Sequence, residues 1–180
     1  MSENVKPERK AIIVVDMQKD NVGKFCQAII PNIKLLIKEA RDRGIPVIYA
    51  CDSRYRDDFI FRQGHPPRAI RGTPGVAVIE ELAPQAGELI IEKRMLSAFF
   101  ASELDFSLRQ KGIETLIVTG VATWACVLKT AYDAVELGYK VVVPADCCAS
   151  VSPEDHEAAV RLFGCMRIGA NSVTDVIRTL

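Results

Sequence analysis

Three side chains of this 180-residue chain have the types that acyl-transfer chemistry needs, and each follows an apolar run that reads as a β-strand. Asp16 follows AIIVV directly, Lys93 comes one residue after ELII, and Cys126 lies a short turn beyond TLIVT, where an amphipathic stretch begins. Singly, each has a bland explanation: a turn aspartate, a solvated lysine, a small core cysteine. Together on one rim they supply a nucleophile, a base and a cation. A thiol of pKa near 8.5 passes its proton to a carboxylate of pKa near 4 only uphill, by roughly 6 kcal/mol in water. An ammonium beside the pair, with the positive end of a helix at Cys126, is expected to lower the thiol pKa, while partial desolvation raises that of Asp16. The product is a thiolate for attack on a carbonyl carbon, with Asp16 as base and then as acid to a leaving amine. Backbone N–H groups of the turn before Cys126 are placed to hold the tetrahedral oxyanion. Cys–His catalysis would need a histidine, but His65 falls in a long loop and His156 early in a helix, neither on a strand rim.

The elements that must position this trio are legible as an alternation. Strands are expected at AIIVV (11–15), PVIYA (46–50), ELII (88–91), TLIVT (115–119) and KVVVP (140–144), with a weaker one near CMRIG (165–169). Continuous apolar runs without inside/outside alternation suit parallel strands buried on both faces. Ile29, Ile33, Leu36, Ile37 and Ala40 recur at helical spacing before Gly44, and Val127, Ala131, Ala134 and Val135 do so before Gly138. Ser152-Pro153 followed by Glu154 and Asp155 reads as a helix start, with Gly164 near its end. Strand and helix alternate throughout, so residues 1–180 are expected to form one three-layer α/β domain around a parallel sheet. Ligands of such sheets bind outside the carboxyl ends of the strands, where the three reactive residues fall. The exception is the irregular segment 52–75, DSRYRDDFIFRQGHPPRAIRGTPG, long enough to be a functional loop and rich in arginine.

Composition excludes several other roles. Lysine plus arginine balance aspartate plus glutamate at 23 each, leaving no electrostatic footprint for nucleic acid or an anionic membrane. The apolar runs are far shorter than the ~20 residues of a bilayer span. The start, MSENVKPERK, is polar and lacks an apolar h-region, so a reduced, cytoplasmic protein is expected. Six cysteines without paired CxxC spacing beside histidines support neither a zinc ribbon nor a disulfide framework.

The stretches VVDMQKD (14–20), GIPVIYA (44–50), HPPRAIRGTPG (65–75), EKRMLSAFFASELD (92–105), TLIVTGVATWACV (115–127) and PADCCAS (144–150) resemble, in order, those of the isochorismatase-like cysteine hydrolases. The resemblance implies a Rossmann-like six-stranded parallel sheet of order 3-2-1-4-5-6 and a catalytic triad on Asp16, Lys93 and Cys126. It further implies an oxyanion hole of the Ala122 and Cys126 N–H groups, shaped by a cis peptide between Val121 and Ala122. Isochorismatases proper, which cleave a vinyl ether, lack the cysteine; its presence here points to hydrolysis of a small amide, an N-carbamoyl or ureido acid. Nicotinamidases bind a metal through an Asp-x-His pair and a later His, where this chain has Asp52-Ser53-Arg54 and Arg68. Guanidiniums cannot ligate a cation, so neither a metal nor any other cofactor is expected. Arg54 and Arg68 could instead clamp a substrate carboxylate, or form salt bridges with Asp52, Asp57 and Asp58. Trp124, where the family has a small or polar residue, could wall the substrate pocket or pack against a neighbouring subunit. The other readings are a nicotinamidase-type amidase and a non-catalytic binding member of the fold. A homodimer or homotetramer is implied by the resemblance alone.

Overall fold

The chain is described by a computed structural model over residues 8–180, so most of the polar segment 1–10 read for a leader lies outside the described residues. In chain order the regular elements are β1 (Lys10–Val15), α1 (Ile30–Asp42), β2 (Val47–Asp52), a short α2 (Phe59–Arg62), β3 (Leu89–Lys93) and α3 (Leu104–Gln110). They continue with β4 (Thr115–Val121), α4 (Leu128–Glu136), β5 (Lys140–Val142), β6 (Cys148–Ala149), α5 (Pro153–Cys165) and α6 (Val173–Arg178). Among the described residues no helix is long and apolar enough to cross a membrane.

The strands form one parallel sheet ordered β3-β2-β1-β4-β5. Its sixth strand is β6, beside the carboxyl end of β4, with Gly120 opposite Cys148 and Val121 opposite Ala149. The weaker strand expected at 165–169 contributes one bridge, Gly169 to Val142; Cys165 instead ends α5. The order implied by the resemblance therefore holds through β5, and the sixth strand is a two-residue one beside β4 that has no apolar run to announce it.

Alternation along the buried strands divides the core into two layers, because successive side chains point to opposite faces. Ala11, Ile13 and Val15 of β1 pack with Leu116 and Val118 of β4 against Leu104 and Leu108 of α3, Val127, Ala131 and Ala134 at and within α4, and Phe163 of α5. Ile12 and Val14 face the other way with Val47 and Tyr49 of β2, against Ile33, Leu36, Ile37 and Ala40 of α1 and Val173 and Val176 of α6. Both sides of β1 are thus covered, which is why its residues Ala11 to Val15 are apolar at every position. β3 is an edge strand, and its solvent-facing Ile90 is 48% exposed.

Two close approaches bring the carboxyl ends together. Gly120 has φ +112°, and a Cβ there would stand 2.0 Å from the Val15 carbonyl oxygen, so only glycine lets β4 run past the end of β1. A Cβ on Gly75 would lie 2.1 Å from Asp20 Oδ2; without one, Asp20 enters the segment 65–76 and accepts the Ala69 N–H at 2.8 Å. The long loop is therefore tied down at both ends: Arg54 and Ile70 form a parallel bridge, and the Arg71 and Arg94 guanidiniums each lie over the Tyr55 ring, 5.2 and 5.0 Å from its centre. Phe59 is 53% exposed, so the loop's aromatics are only partly packed.

Candidate active site

Register fixes the order of the reactive groups. Asp52 pairs with Lys93 across β2 and β3, and Val15 with Gly120 across β1 and β4. The neighbouring strand ends therefore present Lys93, Asp52, Asp16 and the β4–α4 turn in sequence along one rim. Asp16, just beyond β1, has left-handed backbone (φ 53°), a conformation an aspartate tolerates better than most residues. Its Oδ1 accepts the Asp52 N–H at 2.9 Å, and its Oδ2 is 2.8 Å from Lys93 Nζ. Lys93 Nζ also donates to Asp52 Oδ1 at 2.7 Å, to the Met95 carbonyl at 3.2 Å and to Cys126 Sγ at 3.5 Å. The Lys93 side chain is wholly buried, and those of Asp16 and Asp52 nearly so. The three residues separated by most of the chain meet around one ammonium.

The turn carrying Cys126 is a π-helical one, Thr123–Val127, inserted between β4 and α4. Such turns recur at functional sites because they re-aim a side chain that a regular helix would turn away. The Val121–Ala122 peptide is cis, and the Ala122 carbonyl accepts the N–H groups of Ala125 and Val127 at 3.1 and 3.2 Å. Among the described residues the Ala122 N–H donates to no protein group, which leaves it available at the point where an oxyanion would form beside Cys126.

Electrostatics correct one expectation. Burial, reinforced by the Asp16 and Asp52 carboxylates, pushes the Cys126 thiol well above its ordinary pKa; Lys93 opposes this but does not prevail. Cys126 therefore rests as a thiol. Burial and the Asp52 charge likewise raise Asp16 to about 6 against the pull of Lys93, so at neutral pH it is ionised and able to take a proton. For Lys93, burial is outweighed by Asp16, Cys126 and Asp52, and the ammonium is held charged.

The substrate-binding residues expected from the sequence are placed differently from the trio. Arg54 is 4% exposed, its Nη2 donating to both Asp52 oxygens at 3.0 and 3.1 Å and its Nη1 to the Arg94 carbonyl at 2.8 Å. Its donors are directed into the protein, and it does not form a clamp with Arg68, which is exposed on the loop. Trp124 is 53% exposed two residues ahead of Cys126 and is not packed into a pocket wall within this chain. The residues do not fit the metal that the nicotinamidase likeness raises: the Arg54 guanidinium already occupies both Asp52 oxygens. Among the described residues no group of three or more His, Cys, Asp or Glu side chains is arranged to hold a metal ion.

Three groups were given no catalytic part from the sequence, although Asp52 was expected as a salt-bridge partner of the arginines and is one for Arg54. Asp52 is shared by Lys93 and Arg54; its place at the end of β2, parallel to Asp16 at the end of β1, is the signal that could have found it. Gln18, fully buried, accepts the Asp52 N–H at 2.8 Å and donates to the carbonyls of Asp52 and Val76 at 2.8 and 2.7 Å. His156 of α5, set aside as remote, has its Nδ1 2.9 Å from Thr123 Oγ1 in the π-helical turn. A cleft of about 610 Å³ along the free edge of β3, lined by Ile90, Ile91, Glu92, Ala101, Ser102 and Glu103, touches none of the catalytic candidates.

Comparison with known proteins places the chain in a family. Residues 10–174 match the Isochorismatase domain model. The ureidoacrylate amidohydrolase RutB of Stutzerimonas stutzeri is 30% identical over 83% of this chain and 73% of its own. A probable inactive nicotinamidase of Arabidopsis thaliana is 33% identical over 83% and 85%. The crystal structure of an isochorismatase-like hydrolase from Alkaliphilus metalliredigens superposes with a TM-score of 0.90 at 33% identity, covering 94% of this chain and 98% of that one. On the family model's match and these likenesses, the chain belongs to the isochorismatase family of hydrolases.

Proposed function

We propose that this protein is a metal-independent cysteine amidohydrolase that cleaves the C–N bond of a small amide, an N-carbamoyl or ureido acid, through a thioester on Cys126. The observation that carries the reading is the position of Lys93 Nζ, 2.8 Å from Asp16 and 3.5 Å from Cys126 Sγ at one buried point of the rim. The similarity to a ureidoacrylate amidohydrolase supports the substrate class.

In this reading Asp16 takes the Cys126 proton as sulfur attacks the substrate carbonyl. Lys93 offsets the negative charge while the proton and the new bond are in transit. The Ala122 and Cys126 N–H groups hold the oxyanion, replacing the water that solvated the carbonyl with fixed donors. Protonated Asp16 then gives its proton to the departing nitrogen, and ammonia leaves as the thioester forms. Asp16, again a carboxylate, deprotonates a water that attacks the thioester, and the thiol is regenerated. For a ureido substrate the acid released is a carbamate, which breaks down to carbon dioxide and an amine.

An ammonia-release screen over carbamoyl amino acids, ureido acids and pyridine carboxamides tests the proposal, with Cys126→Ala as the blank. Turnover of a ureido or carbamoyl acid that vanishes in Cys126→Ala is the expected result. Ammonia from nicotinamide alone would move the substrate class to the pyridine carboxamides. A non-catalytic member is the second reading, favoured by one observation, the likeness to a relative named as probably inactive. No turnover of any amide, with no acyl adduct trapped on Cys126 during incubation with the ureido and carbamoyl acids, would establish it.

A further inference from the structure

The Arg54 guanidinium is a costly group to bury, and its contacts show what offsets the cost. Four ionisable groups share one enclosed region: Asp16 and Asp52 carry negative charge, Lys93 and Arg54 positive, and the two signs balance. Asp52 joins the two cations, with Lys93 on Oδ1 and Arg54 on both oxygens. Without Arg54, one ammonium would face two buried carboxylates. Asp52 would then compete with Asp16 for Lys93, and a buried network left with an uncompensated charge is strongly destabilised.

We propose that Arg54 is a positioning residue of the catalytic centre: an internal cation that holds Asp52 by both oxygens and, through Asp52, keeps Lys93 Nζ available to Asp16 and Cys126. This rests on the reading of Cys126 as the nucleophile, and it assigns Arg54 a role distinct from binding the substrate. The geometry suits the task. The planar guanidinium turns one nitrogen, Nη2, to both carboxylate oxygens, which leaves Nη1 for a second anchor. It is anchored on its other side by the Arg94 carbonyl, one residue past Lys93, so one side chain ties the end of β2 to the end of β3. The charged or titratable groups that face this network are Asp16 beyond β1, Cys51 and Asp52 of β2, Lys93 of β3, Cys126 of the π-helical turn, and Asp58 ahead of α2, whose own charge is matched by Arg94.

The test is the rate at which iodoacetamide alkylates Cys126 at pH 8 in the full-length protein, read by mass spectrometry of the Cys126 peptide, with thermal unfolding of each variant alongside. Arg54→Gln leaves a net negative charge beside the thiol and is expected to slow alkylation about tenfold, the equivalent of one pKa unit. Arg54→Lys keeps the charge and is expected to stay within about threefold of wild type. The double variant Arg54→Met/Asp52→Asn removes one charge of each sign and is expected to recover both folding and a rate within about threefold of wild type. That recovery is what a mere packing role, or a substrate clamp, would not produce. Arg54→Gln alkylating at the wild-type rate overturns the proposal, as does a double variant that fails to fold or stays slow. Failure of the cysteine-hydrolase reading appears elsewhere, as ammonia release that survives Cys126→Ala.

Discussion

Asp16 accepts the backbone N–H of Asp52 at 2.9 Å, so the carboxylate at the end of β1 is registered to the end of β2 by main chain, independently of its ion pair with Lys93. One Asp16 oxygen is thereby fixed, and the other is left to Lys93 and to proton transfer. The environment that fixes it also lifts its pKa to about 6, through burial first and the Asp52 charge second. Only the ionised form can take the thiol proton. Activity should therefore rise with pH through about 6 and be lost below it, a limb measurable as kcat/KM against pH. Asp16→Asn should lower kcat by about 10²–10⁴-fold and abolish that limb.

Lys93 sits between two carboxylates with no exposed surface, and removing it exposes the cost of burying them. Lys93→Met should destabilise the protein by about 3–5 kcal/mol near neutral pH, because Asp16 is left as an unpaired buried charge. The sign of its pH dependence follows from linkage. Without the ammonium, Asp16 binds its proton more tightly in the fold than in the unfolded chain, so stability is lost as pH rises. Urea unfolding should show the variant closer to wild type at pH 5 than at pH 7.5. Equal losses at both pH values would mean that Lys93 matters through packing alone.

How much of this was legible in the sequence depends on the range of the forces involved. β1, β2 and β4 are readable because both of their faces are buried, and that demand is written at every position of AIIVV and TLIVT. β6 is not, because two residues paired with Gly120 and Val121 owe their strand geometry to a neighbour and not to their own apolar pattern. Asp16, Lys93 and Cys126 could be proposed as a group because each follows a strand. The sharing of Asp52 between Lys93 and Arg54 could not, since it rests on the register that sets Asp52 opposite Lys93. The thiol pKa was expected to fall for a sound local reason, the nearby ammonium. Burial, which no short stretch of sequence discloses, decides it the other way.

The Asp20–Gly75 contact offers a cycle in which loop anchoring can be separated from chemistry. Gly75→Ala places a methyl where the Asp20 carboxylate now lies, and it should break the bond to the Ala69 N–H at a cost of about 1–3 kcal/mol. Asp20→Ala removes the same bond directly. The double variant should be no less stable than Asp20→Ala, since the methyl then occupies the space the carboxylate has vacated. Melting temperatures of the four proteins check this, and additive losses would show that Gly75 matters for another reason.

The Thr123–His156 pair extends the site to α5. Thr123 is fully buried and directly follows Ala122, whose N–H is the free donor of the candidate oxyanion hole. Its hydroxyl meets His156 Nδ1 at 2.9 Å, and burial lowers the pKa of that ring, which is therefore neutral at pH 7. A hydrogen bond from a helix to this turn can set the position of the donors without touching substrate. Misplacing such donors by a fraction of an ångström is felt in the transition state more than in the ground state. Thr123→Val, nearly isosteric, should lower kcat by about ten- to a hundredfold while KM changes less than about threefold. His156→Phe should do the same, and the double variant should lose no more than either alone, because both remove one bond. Steady-state kinetics on the ammonia-releasing substrate measure all three. A KM effect without a kcat effect would place Thr123 in substrate binding instead, and additive losses would separate the two residues.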